Sequence, residues 1–205
     1  MAGVRLLASL LRDETGATAV EIGLLAPFLI GLVLSIIDLG VYVWDWNQAN
    51  QAARFAVRLA AISDPVASDL PTLTGLETGA AIGGPVGAYS RVCTTSGCSG
   101  GTFDASALDR IYFGPSSDSC DDADENTSLG LCDLMPLAQR SNVTVTYSDS
   151  GVDYAGVAGA LRPLVTIDIR NIASRSVFLG VAFAHFAHLP PAKATTLAED
   201  MSSST

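Results

Sequence analysis

Two carboxylates stand where a charge is expensive. The most apolar run of the chain is Ile22 to Trp44, IGLLAPFLIGLVLSIIDLGVYVW; Glu21 precedes it directly and Asp38 is the one charged residue inside it. An unpaired carboxylate in a low-dielectric medium is strongly disfavoured, so each needs a donor, a cation or water. Glu21 at the start of a helix lies near the positive end of the macrodipole and within reach of headgroup water. For Asp38 two readings stand open. It makes an intramembrane contact to another subunit, or it bends toward interfacial water roughly 9 Å away, where Trp44 and Trp46 anchor the edge. Asp38 and Asp45 are seven apart, hence nearly on one helix face, which points to a protein-facing rather than a lipid-facing side.

The remaining reactive groups lie beyond that run. Cys93, Cys98, Cys120 and Cys132 are even in number, in an acidic, loop-rich region. Four cysteines allow three pairings. Proximity favours Cys93–Cys98 and Cys120–Cys132, and disulfides place the region in an oxidising compartment. Asp122, Asp124 and Asn126 have the 1-3-5 spacing of a calcium loop, with Asp133 at position 12. The sixth residue is Thr127 instead of Gly and the last is Asp instead of Glu, so a solvated acidic loop is the default and no metal is expected. His185 and His188 form H-x-x-H in a strand-like run, where they face opposite ways. No nucleophile elbow, phosphate-binding loop or H-E-x-x-H occurs, so no enzyme, cofactor or small-molecule substrate is expected.

Composition sets the frame. Charged residues make up 16% of 205 against roughly 25% in an average soluble domain, and the net charge is −10. A phosphate backbone would repel that surface, which excludes nucleic acid as the leading partner. The apolar run, at about 1.5 Å per residue, is roughly 34 Å long and crosses a ~30 Å hydrocarbon core. It is longer than the core of a secretory signal and no A-x-A site follows it. Arg5 and Arg12 before it balance Arg54 and Arg58 after it, so the positive-inside count leaves orientation open.

The helix is expected to continue past Trp44 through WNQANQAARFAVRLAAIS, rich in helix formers, until Asp64-Pro65 stops it. Ala49, Ala53, Ala56 and Ala60 give it a small-residue face that packs on the same subunit. GAYSRVC and RIYF read as short strands around a cysteine-closed turn. NVTVTYS and Leu164 to Ile172 alternate with period two, and Val177 to Phe186 and Ala194 to Ala198 add further strands. Adjacent alternating runs imply an antiparallel sheet with one wet face. The predicted class is α+β: a leader over 1–16, a long helix over 17–63 that spans at about 22–44, and a head over 64–205 with a small sheet and disulfide-closed loops.

The segment RDETG-ATAVEIGLLAPFLIGLVLSIIDLG carries a resemblance. Gly16 ends a polar leader, Ala17 follows, and Glu21 comes five positions after the glycine. Pro27 sits eleven positions after Gly16. Ile36-Ile37-Asp38-Leu39-Gly40, Gln51-Ala52-Ala53-Arg54 and Arg58-Leu59-Ala60-Ala61 continue the pattern. This resembles the class III signal of the type IV pilin superfamily, and more closely the TadE-like proteins of tight-adherence (Flp) pilus systems. The match is dense from Asp13 to Ile62; TTLAEDM, Thr195 to Met201, resembles the family only loosely. Ile22 stands where the family usually has an aromatic residue.

The resemblance implies a minor pilin or pseudopilin. A prepilin peptidase would cut between Gly16 and Ala17, and Glu21 would pair with the new amine of its own or a neighbouring chain. It implies an inner-membrane protein with a cytoplasmic N-terminus and a periplasmic head, possessing as partners other pilins and the assembly platform, and a place in a surface pilus concerned with adhesion and biofilm. Two alternatives stand beside it: an uncleaved single-pass scaffold of the secretion machinery, and a membrane-tethered adhesion module.

Overall fold

The computed structural model describes residues 14–116, 118–120, 129–158, 161–176, 178–182, 186–198 and 201. A single helix, α1 (Glu14–Ile62), runs for 49 residues, about 74 Å at 1.5 Å per residue. It passes through Pro27, which lacks the N–H that would donate to residue 23. Beyond Ile62 the chain turns at Asp64-Pro65, and Ser63 Oγ closes the end by donating to the Leu59 carbonyl at 2.6 Å.

The head is a five-stranded antiparallel sheet in the order β2-β1-β3-β4-β5. The strands are β1 (Ser90–Thr94), β2 (Gly97–Ser99), β3 (Val143–Ser148), β4 (Leu164–Ile169) and β5 (Ala192–Leu197). Among the described residues, the short α-helices α2 (Ala105–Phe113), α3 (Leu131–Leu134) and α4 (Phe178–Ala182) lie between them. Register follows the alternation. Val143, Val145 and Tyr147 pair with Ile169, Ile167 and Val165, and Ile167 pairs with Ala194. These side chains share the inner face. Thr144, Thr146, Thr166 and Thr195 share the outer face, where Thr166 and Thr195 hydroxyls meet at 2.8 Å. The sheet therefore has one apolar and one polar face.

The second half of α1 covers the inner face, packing across β4 and β5. Ala49, Ala52, Ala53, Ala56 and Ala60 are fully buried there. Each buried Val, Ile or Leu of the sheet contributes roughly 1.5–3 kcal/mol. The alanines add less by burial and instead let the helix axis come close to the strands. Tyr147, fully buried, accepts a hydrogen bond from the Val66 N–H at 2.9 Å and ties the chain after α1 to the sheet. Burial pushes its phenol pKa up.

Disulfides Cys93–Cys98 and Cys120–Cys132 close two loops of the head. The first staples the β1–β2 hairpin. The second ties the segment after α2 to α3. At Gly130 a Cβ would collide with the backbone of Phe113 and Gly114, so the approach of α3 to α2 requires glycine.

Two strand expectations are corrected. RIYF lies in α2, not in a strand. Asp104 caps that helix, its carboxylate accepting from Ser106 N–H at 2.8 Å and Ala107 N–H at 3.3 Å. Ala107, Leu108, Ile111 and Tyr112 are its buried stripe, with helical spacing. The run Val177 to Phe186 contributes α4 in place of a strand. It packs on α1, not on the edge of the sheet, so no ladder is available to it.

Candidate functional site

The residues singled out for chemistry lie along α1. Gly16 and Ala17 belong to its first turns, because the helix begins at Glu14. Glu21 is exposed. It is four residues beyond Ala17, one helical turn away and on the same face. From Val20 to Trp44 the large apolar side chains stand exposed, among them Leu24 at 73%, Phe28 at 70% and Ile36 at 63%. This is the helix in the described chain that is long and apolar enough to cross a membrane.

Asp38 makes its contact within the chain. Its carboxylate accepts from the Leu179 N–H at 2.8 Å, at the start of α4. Four residues on, Tyr42 donates from its hydroxyl to the His188 carbonyl at 3.3 Å and meets the Phe186 ring edge-on, centroids 5.1 Å apart. Three residues further, Asp45 is fully buried and takes both arms of the Arg175 guanidinium, one through Nε at 3.1 Å. The bond and charge of Asp45 hold the guanidinium above its ordinary pKa. The spacing 38, 42, 45 puts these three groups on one side of α1, as expected for Asp38 and Asp45. Together they hold the connection between β4 and β5 at Arg175, Leu179, Phe186 and His188.

Within that connection α4 packs against α1. With Phe178, Leu179 and Phe186 on one side and Pro27, Phe28, Gly31, Leu32, Ser35, Ile36 and Leu39 on the other, the connection bounds an open apolar groove of about 820 Å³. Gly31 leaves room here: a Cβ on it would lie 3.8 Å from the Phe178 ring.

The other candidates lie elsewhere. Asp133 accepts from the Gly130 N–H at 2.7 Å and so caps α3. Asp122, Asp124 and Asn126 fall outside the described residues, as does His185. Among the described residues no three His, Cys, Asp or Glu are grouped closely enough to hold a metal. His188 takes part through its backbone, bridging to Ala173. Arg175 is the residue that sequence reasoning missed. It is the one charge between Arg170 and Lys193, in an otherwise uncharged connection, and that isolation was the available signal.

A long, exposed apolar helix, long enough to cross a membrane, fused to a disulfide-closed antiparallel head defines an α+β protein. Residues 16–58, about a fifth of the chain, match the model of the TadE-like protein family. Over that stretch the chain is similar to TadE-like proteins. The match ends inside α1, four residues before Ile62, so the head lies outside it. No curated protein and no solved structure matches the chain.

Proposed function

We infer that this chain acts as a minor pilin or pseudopilin in assembly of a tight-adherence pilus. The observation that carries the reading is the first half of α1: an apolar helix with its side chains exposed, led by Gly16-Ala17 and by Glu21 one turn later. The helix sits in the inner membrane, with the N-terminus cytoplasmic and the head periplasmic. The two disulfides favour that side, since they persist in oxidising compartments.

A prepilin peptidase removes residues 1–16. The new ammonium of Ala17 then lies within reach of Glu21 of its own chain or of a neighbour. In hydrocarbon an unpaired carboxylate is costly, so the pair selects one register of helix against helix. Apolar packing between such helices primes or joins the filament.

A second reading keeps the chain uncleaved in the membrane as a scaffold of the assembly platform. Two observations favour it. The helix runs unbroken through Gly16, and the β4–β5 connection covers one side of α1 that all-round packing in a fibre would use.

Mass spectrometry of the N-terminus of membrane-inserted protein separates the two, with Gly16→Ala as control. A start at Ala17 that disappears in the control is the expected result. A leader retained in the unaltered chain would overturn processing and leave the scaffold.

A further inference from the structure

We propose that α4, in the β4–β5 connection, is a second membrane-entering element. It lies among the acyl chains of the periplasmic leaflet beside α1. The proposal rests on α1 being a membrane span.

Height along the helix is the first argument. Arg175 meets α1 at Asp45 and His188 meets it at Tyr42, on either side of Trp44, the interfacial aromatic that closes the apolar run. Between them in sequence, α4 meets α1 at a lower level. Leu179 N–H reaches Asp38, about 9 Å below Trp44, and the Phe178 ring reaches Gly31, about 20 Å below it, at 1.5 Å per residue. If Trp44 marks the interface of a ~30 Å core, α4 lies inside that core.

Chemistry agrees with the depth. Residues 176–189, SVFLGVAFAHFAHL, contain no Asp, Glu, Lys or Arg. Phe178 is 42% exposed beside a groove whose other wall is the span itself. Exposed apolar surface continuous with a membrane helix and at the same height fits lipid.

Backbone satisfaction is the third argument, because hydrocarbon supplies no partners for N–H and C=O groups. The stems bond to each other, Ser174 N–H to the Ala187 carbonyl at 2.9 Å and Leu189 N–H to the Ile172 carbonyl at 2.9 Å. Ser174 Oγ accepts from the Ser176 N–H at 3.0 Å, and Ser176 Oγ donates to the Phe186 carbonyl at 3.5 Å. Asp38 supplies an acceptor to α4 at the depth where no water would. An acidic side chain inside the span thus has a task within its own chain.

The test uses the full chain in vesicles of phosphatidylethanolamine and phosphatidylglycerol. All four native cysteines are in disulfides, so one introduced cysteine carries the only nitroxide label. Labels go at Phe178→Cys, at Ile36→Cys in the span, at Val43→Cys near its edge and at Ile82→Cys in the head. Collision with oxygen relative to a nickel chelate reads depth. The expected result is a several-fold higher ratio at Phe178 than at Ile82, and a position deeper than Val43. A Phe178 label at or above the Val43 level, with Ile36 deep, overturns the proposal and leaves the span intact. Labels at Ile36 and Phe178 that are both aqueous overturn the span and the proposal together. Gly180→Cys repeats the reading should the Phe178 variant fail to fold. Asp38→Ala is expected to bring the α4 label closer to water; an unchanged depth would remove Asp38 from the anchorage.

Discussion

From Val20 to Trp44 the conspicuous side chains of α1 are large, branched or aromatic, and exposed; from Asp45 to Ala61 they are alanines, and buried. One helix thus carries two opposite patterns without a break. The first half presents bulk to its surroundings and is open around most of its circumference. The second half has little bulk on its packed side, so that β4 and β5 come close. Exposure of large apolar groups is disfavoured in water and favoured in hydrocarbon, whereas small buried residues signal a protein neighbour. Residue size, more than hydrophobicity, separates the half suited to lipid from the half that meets protein. Asp45 stands at the junction, the first buried residue after the apolar run.

The largest effect is expected at that junction. Arg175→Ala leaves the Asp45 carboxylate buried without its cation, and losing one partner of a buried pair costs about 3–5 kcal/mol. The lower end applies, because the Arg175 side chain is 53% exposed and water reaches the gap. Urea unfolding of the full chain in detergent micelles reads it as a lower midpoint. In the first half, Leu32→Arg should reduce membrane insertion by about 2.5–3.5 kcal/mol, the scale for a charge at a helix centre. Carbonate extraction measures the inserted share, and the unfolding midpoint of the head should stay where it is.

A reciprocal pair then sharpens the contrast. Ala53→Leu overpacks the helix against the sheet and should destabilise the head by about 1–3 kcal/mol. Leu34→Ala, 45% exposed before substitution, should change head stability by less than about 0.5 kcal/mol. Equal effects from the two would dissolve the distinction between the halves.

The smallest effect concerns a site remote from both. Asp104→Ala removes the cap of α2 and should cost about 1 kcal/mol. The bond from Ser106 holds the Asp104 carboxyl below its ordinary value of 3.8. A depressed folded-state pKa gives stability that is present above the unfolded value and lost as pH falls through the folded one. The difference between the two proteins should therefore be constant at neutral pH and shrink below pH 3.8. A difference that grows on acidification would assign the stabilisation to another group.

Much of this was legible in the residues. The apolar run, the alanine spacing and the Asp64-Pro65 stop mark α1, because each is a local property. β3 and β4 show their alternation for the same reason. RIYF and VFLGVAFAHF were misread because aromatic and branched residues suit strands, yet the first is governed by the Asp104 cap and the second by the wall of α1. The grip on the β4–β5 connection was half visible. The Asp38–Asp45 spacing could be read from one helix, but Arg175 lies 130 positions from Asp45 and only the fold brings them together.

The sheet ends in β2, three residues long and closed on itself by Cys93–Cys98. At the opposite border β5 follows Pro190-Pro191 and carries Lys193. Short, stapled, proline-flanked or charged borders resist the addition of a foreign strand. Border-to-border pairing of crowded chains is therefore disfavoured, and amyloid-like stacking with it. In the assembly proposed above, contacts between copies would therefore fall to the exposed apolar half of α1, with the heads carried as passengers.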